Sequence, residues 1–378
     1  MLYELIRWLN NLYSPPGFGA FDFITTRTAF AAATALLISL IIGRQMIRWL
    51  IRMQLKENIR DDIGLSAHLA KADTPTMGGV IIILATLIPA LLWMNIYSIY
   101  TWLIVFVVLV LGTVGFIDDY IKVVLKNKSG LHGWFKIIGQ VLVGLVLGAF
   151  LYFWPAFSEF NTLTTVPFLK DVNIDYAFFG EQTGWLIYIP VVILVITAVS
   201  NAANLTDGLD GLLSGTSAIA GIILGIFAYV SGRVDFSGFL NIMYLPGSGE
   251  LTIFAASLVG ACLGFLWYNT HPASVFMGDT GSLALGGALG ALALMIHKEL
   301  LLPIICGIFV VEALSVIIQT SWFKYTRKKY GEGRRVFLMT PIHHHFEKKG
   351  WAESKIVVRF WIIAILLGII SLLTLKLR

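Results

Sequence analysis

Charge is scarce in this sequence: of 378 residues only 13% are Asp, Glu, Lys or Arg, against 57% hydrophobic. That balance excludes a soluble globular domain and places the chain in the polytopic membrane class. Cysteine is scarcer still. Cys262 and Cys306 both fall inside apolar runs and lack metal-ligand spacing, so they read as small packing residues. A glycine-rich nucleotide loop of the GxxxxGK(S/T) kind is missing, which argues against a soluble-type NTPase. No internal repeat, low-complexity tract or linker divides the chain, so residues 1–378 read as one integral membrane domain. No cleavable signal is evident, because residues 1–19 are amphipathic and a full-length span follows them. A net charge of +5 is no sign of nucleic acid as a partner; where the basic residues sit carries the information.

What the sequence holds in quantity is apolar runs long enough for a hydrocarbon core of roughly 30 Å. Ten are expected to span, at 24–43, 77–97, 100–118, 134–154, 184–201, 211–231, 251–269, 283–297, 301–322 and 356–375. The predicted fold is therefore all-α, with about ten transmembrane helices. Thirty-six glycines suit close helix packing in lipid, and small-residue faces permit a homodimer. The connections on one side collect 20 of the 27 Lys and Arg residues. Basic residues accumulate in the cytoplasm, so that side is assigned as cytoplasmic and both termini as periplasmic.

The polar residues of the cytoplasmic loops are concentrated in five stretches. Gly115-Phe116-Ile117-Asp118-Asp119-Tyr120-Ile121-Lys122 ends the third span. Adjacent carboxylates at such a place repel one another and want a cation, a lysine or a shared proton. Lys122 lies on roughly their helical face. Lys71-Ala72-Asp73-Thr74-Pro75-Thr76-Met77-Gly78-Gly79 offers Lys71 and the hydroxyls of Thr74 and Thr76 to an anion, and its glycines allow close backbone approach. Asn201-Ala202-Ala203-Asn204-Leu205-Thr206-Asp207-Gly208-Leu209-Asp210-Gly211 carries more oxygen donors than a plain turn needs, suited to Mg²⁺ or to sugar and base. Asn269-Thr270-His271-Pro272-Ala273-Ser274-Val275-Phe276-Met277-Gly278-Asp279-Thr280-Gly281-Ser282 places one carboxylate, Asp279, between glycines, like a loop that binds phosphate and metal. Phe276 either stacks on a base or anchors the loop in lipid. Pro341-Ile342-His343-His344-His345-Phe346-Glu347 lies among Arg334, Arg335, Lys348 and Lys349, where contact with phosphate is the better reading than a transition metal.

Acids to hold Mg²⁺ and bases to neutralise phosphate, gathered at one membrane surface, are the parts of phosphoryl transfer. The substrate inferred from them carries a diphosphate. Outside this set, Glu312 stands alone in the ninth span, where it reads as a structural hydrogen-bonding residue at a bend. The long outer segment 155–184 shows no convergent constellation.

These five motifs resemble those of the polyprenyl-phosphate N-acetylhexosamine-1-phosphate transferases, from about the first span to the last. The triple-histidine stretch resembles the muramoyl branch of that family. The resemblance implies transfer of phospho-N-acetylmuramoyl-pentapeptide from UDP-N-acetylmuramoyl-pentapeptide to undecaprenyl phosphate, giving lipid I and UMP with Mg²⁺ required. It implies the bacterial inner membrane as location, with the site on the cytoplasmic face. Asp279 is the first choice for the metal, with Asp118 and Asp119 placing the lipid phosphate and sharing the ion. Asn204, Asp207, Asp210, Asn269 and Phe276 would surround uridine and sugar. Lys71, Lys122, Lys136 and His343, His344 and His345 would balance phosphate charge. Direct displacement and a covalent phospho-enzyme both fit the residues. A sister transferase for another UDP-sugar shares the mechanism. An ion-coupled transporter is the reading from another class, and clustering of the acids on one face, away from the midplane, speaks against it.

Overall fold

The structure, a computed structural model, describes residues 1–376 apart from 54–73, 128, 158–159, 161, 170–171, 179 and 181. It is an all-α membrane bundle with a single small hairpin among the described residues. A short amphipathic helix, α1 (Leu2–Tyr13), precedes α2 (Ile24–Arg52), α3 (Gly79–Trp93), α4 (Ile99–Val123) and α5 (Gly133–Phe153). The hairpin strands β1 (Leu163–Thr165) and β2 (Asn173–Asp175) pair antiparallel, Thr164 opposite Ile174. There follow α6 (Trp185–Thr206), α7 (Leu212–Ser231), the short α8 (Val234–Leu240), α9 (Gly249–Asn269) and α10 (Gly278–Met295). The chain ends with α11 (Leu302–Ile305), α12 (Gly307–Tyr330), α13 (Ile342–Lys348) and α14 (Glu353–Leu373). Eight of these helices are long and apolar enough to cross a membrane, and α3 is a shorter apolar one. Each of the ten predicted spans coincides with helix.

Two central helices organise the bundle. α9 packs on α2, α3 and α7, while α10 packs on α4 and α6. α10 is buried from Thr280 to Met295 and is built almost wholly from Gly, Ala and Leu, which lets neighbouring backbones come close. Outside, large apolar side chains such as Leu37, Ile41, Leu194, Ile317 and Leu366 are exposed, as a surface facing lipid tails requires.

Two boundaries and one bend differ from the sequence expectation. α4 runs on to Val123, past the expected span end at 118, so Asp119 and Lys122 ride its last turns together with Asp118. α10 begins at Gly278, five residues earlier than expected, because a carboxylate from α4 caps it. The bend expected at Glu312 falls instead at Cys306, between α11 and α12. The outer segment also does more than the sequence suggested. Its hairpin sits on the turn after α10, where Lys298 Nζ donates to Thr165 Oγ1 at 2.9 Å and the Tyr176 hydroxyl donates to Glu299 Oε1 at 3.2 Å.

At that same end, Arg27 makes a buried bidentate pair with Glu250, at 3.0 and 2.8 Å. The Asn95 N–H donates to Glu250 Oε2 at 2.8 Å, so α2, α9 and the turn after α3 are pinned together. The opposite end of these helices carries the polar loops.

Candidate active site

The site is built on backbone before side chains. Phe276 N–H donates to Pro75 O, Gly78 N–H to Phe276 O and Gly79 N–H to Met277 O, each at 2.8 Å. The threonine-proline stretch and the stretch leading into α10 thus form one ladder. Gly78 and Gly79 were expected to allow close backbone approach, and they do: their N–H donors serve this ladder, and a Cβ on Gly79 would strike the backbone of Gly281. A Cβ on Gly115 would likewise strike the backbone of Asp279. Glycine at these two places sets how closely α3, α4 and α10 converge.

Asp119 completes that junction. Its Oδ1 accepts the Asp279 N–H at 3.1 Å, and its Oδ2 accepts the Thr280 N–H at 2.9 Å and the Thr280 hydroxyl at 2.6 Å. It therefore caps the N-terminus of α10 from another helix, where unpaired N–H groups and the helix dipole favour an anion. Buried and fully engaged, Asp119 holds the backbone that presents Asp279.

Asp118 and Asp279 face each other across two lysines. Lys136 Nζ lies 2.9 Å from Asp118 Oδ2 and 2.5 Å from Asp279 Oδ2. Lys122 Nζ lies 2.5 Å from Asp118 Oδ2, in the expected one-turn relation, and 3.0 Å from Asp279 Oδ2. Asp118 Oδ1 accepts the Leu131 N–H at 2.7 Å, and Asn204 donates to Asp279 Oδ1 at 2.7 Å while also donating to Ser282 Oγ at 2.9 Å. Asp118, Asp119, Asp279, Lys122, Lys136 and Asn204 are thus one constellation, drawn from four helices.

One carboxylate oxygen from each of the three Asp residues lies within 4.8 Å of the others. Such an all-oxygen set fits a hard cation like Mg²⁺. Asp118 and Asp279 are the pair able to offer oxygens, since each can release an ammonium group, whereas Asp119 would have to uncap a helix.

The other expected residues fall into separate groups. Asp210 belongs to a second polar knot: its N–H donates to Glu353 Oε1 at 2.7 Å, and its Oδ2 accepts the Ala273 N–H at 3.0 Å. His271 Nδ1 lies 3.2 Å from both Asp210 Oδ2 and Glu353 Oε2. Asn269 is buried beside this knot, accepting from Gly211 N–H and the Ser214 hydroxyl and donating to Val275 O. Thr76 is buried at the ladder, and Phe276 and Asp207 are half-buried. Lys71 lies outside the described residues.

The three histidines diverge in role. His343 is fully buried, with Nδ1 3.1 Å from Glu312 Oε2. His344 Nδ1 lies 2.6 Å from Glu347 Oε2, and His345 Nδ1 accepts the Leu338 N–H at 3.1 Å. Burial, and then the Lys349 charge, hold His345 below the usual imidazole value, in keeping with that acceptor role. The segment reaches the carboxylate constellation through the turn after α6: a Cβ on Gly208 would overlap the His343 ring, and Asn204 on the same stretch holds Asp279. Glu353, His271 and Ser282 were not singled out from sequence. The one available signal was Glu353, an acid standing alone at the start of the last span.

The chain matches the family model for glycosyl transferase family 4 over residues 101–297. Residues 71–83 match signature 1 of the phospho-N-acetylmuramoyl-pentapeptide-transferases. Proteins of that name are similar over the full length of both chains, with 51% identity in Flavobacterium johnsoniae and 53% in Salinibacter ruber and Chloroherpeton thalassium. With the charged junction of α4 and α10 lying inside the matched region, the chain belongs to glycosyl transferase family 4, among the phospho-N-acetylmuramoyl-pentapeptide-transferases, and is a membrane enzyme that transfers a phosphosugar.

Proposed function

We propose that this enzyme moves phospho-N-acetylmuramoyl-pentapeptide from its UDP derivative to undecaprenyl phosphate, releasing UMP and forming lipid I, with Mg²⁺, at the cytoplasmic face of the bacterial inner membrane. The observation that carries this reading is the pair of lysines held between Asp118 and Asp279 at the ends of membrane helices. The names of the relatives supply the substrate classes. The concentration of Lys and Arg in the loops at this end supports the side.

The chemistry needs little from a base. The terminal phosphate of the lipid carrier has a second pKa of about 6 and is mostly dianionic at neutral pH. Its oxygen attacks the phosphorus attached to the sugar, the anhydride bond to the uridine-bearing phosphate breaks, and UMP leaves with the electron pair. One phosphoanhydride replaces another. Lys122 and Lys136, each shared by two carboxylates, can turn a donor toward the phosphate oxygens without leaving an acid unpaired. Asp279 and Asp118 would hold Mg²⁺, which supplies charge neutralisation at the transferring phosphoryl group. Asp119 keeps Asp279 in place. Asn204, Asp207, Asp210, Asn269, Phe276 and Thr76 would frame uridine and sugar, with Lys71 and the histidine segment on the phosphate side.

The test is UMP release by the purified protein in detergent, given the UDP-muramoyl-pentapeptide, undecaprenyl phosphate and Mg²⁺. Release should need all three and vanish with EDTA or with Asp118→Asn. Release only with a different UDP-sugar would overturn the substrate assignment.

A further inference from the structure

The histidine segment is strapped to α12 by three buried side chains spaced seven residues apart. Thr326 Oγ1 accepts the Arg334 N–H at 2.9 Å. Gln319 Oε1 accepts the N–H groups of Val336 and Phe337 at 2.9 and 3.0 Å, and its Nε2 donates to Phe337 O at 3.1 Å. Glu312 Oε2 accepts the His343 N–H at 3.4 Å and meets the imidazole Nδ1 at 3.1 Å. Seven residues are two helical turns, or about 10 Å of rise, so the three lie in one row on one face of α12. Residues between them, including Leu314, Ile317 and Ile318, are exposed on the outer face. The row and the strap run antiparallel, ending at His343.

The last rung differs from the other two. Glu312 and His343 are both wholly buried, and among the described residues Glu312 Oε1 and both ring nitrogens of His343 have no hydrogen-bond partner, Nδ1 meeting Glu312 Oε2 as a charge contact at 3.1 Å. Burying such atoms costs stability that an apolar pair of the same size would not lose. A threonine or glutamine would have tied the strap down, as the other rungs do. What the acid adds is a carboxylate beside the ring: Oε2 lies 3.1 Å from Nδ1, and Gly208 leaves room for the Nε2 side against the turn after α6.

We propose that Glu312 is a positioning residue for the transfer reaction, setting the His343 ring against Gly208 so that the histidine segment and the end of α6, which bears Asn204, keep one relative placement. This rests on the transferase reading given above. Glu312 touches no reacting atom and acts through His343.

Two measurements test it. The first does not depend on activity: carbethoxylation of His343 in the folded full-length protein, read by mass spectrometry of the peptide. His343 should resist labelling in the native chain and react about tenfold faster in Glu312→Ala, equivalent to about 1.4 kcal/mol of lost protection. Glu312→Gln, which keeps an acceptor for the His343 N–H, should fall between them and serves if the alanine variant does not fold. Unchanged labelling in both variants overturns the proposal. The second compares UMP release by Glu312→Ala, His343→Ala and the double variant. The single changes should each lower kcat about 10- to 100-fold, as loss of a supporting contact behind a functional group does, with little change in KM. The double variant should be no slower than His343→Ala alone; losses that multiply overturn the proposal. An inactive native protein would instead sink the transferase reading while the labelling result still decides the role of Glu312.

Discussion

Charge is buried at both ends of the bundle, and differently at each. At one end Glu250 meets Arg27 fork to fork, and the Asn95 N–H accounts for further acceptor capacity. At the other end three carboxylates cluster where α4 meets α10: two lysines are each shared between Asp118 and Asp279, and Asp119 caps α10. The first arrangement is closed, one charge answered by one. The second has an acid in excess, and Lys122, at 36% side-chain exposure, can reach water. A bundle needs only the first kind to be stable; the second makes sense as a place that a cation and phosphate groups complete.

The largest effects should separate the two ends. Asp279→Ala is expected to lower UMP release by about 10³-fold or more while leaving the thermal transition in place. Arg27→Ala should do the reverse, destabilising by about 3–5 kcal/mol because Glu250 is left buried and unpaired. Activity per folded molecule should stay near normal in that variant. Thermal unfolding and kcat measured on both proteins check the contrast, and matched losses in both readouts for either variant would erase it.

A subtler change sharpens the role of backbone. Gly115→Ala puts a methyl against Asp279 and Thr280, so the N-terminus of α10 must shift. A displacement on the order of 1 Å should cost about 10²-fold in kcat. Gly133, whose added Cβ meets nothing within 4 Å, is the control and should tolerate alanine.

The smallest effect concerns the charged end alone. Because burial lowers the His345 pKa, the bond from the Leu338 N–H is fully present above the free imidazole value of about 6.5. It is lost as pH falls through the lowered folded value. Hydrogen exchange at Leu338, corrected for its intrinsic pH dependence, should quicken on acidification through that window, and should not in His345→Ala.

Much of this molecule was legible in the chain. All ten apolar runs became helix because period and length are local properties, and the skew of Lys and Arg marked one end. The Asp118–Lys122 pairing was readable from helical spacing alone. Other features were not. Asp119 and Asp118 are neighbours of identical type, yet one caps α10 and the other faces lysines, a division set by which helix each side chain meets. His343, His344 and His345 are adjacent as well, and each found a different partner. Glu312 and Glu353 carried little signal, since their partners lie 31 and 143 residues away.

By itself the sequence determined that the chain is an all-α membrane protein, and which five stretches hold its chemistry. Hydrophobic length and residue type are sufficient for both. Only the tertiary structure decided which acids are free to act and which are spent on holding helices together. That depends on hydrogen bonds between segments far apart in the chain, whose donors are backbone N–H groups that no residue type announces.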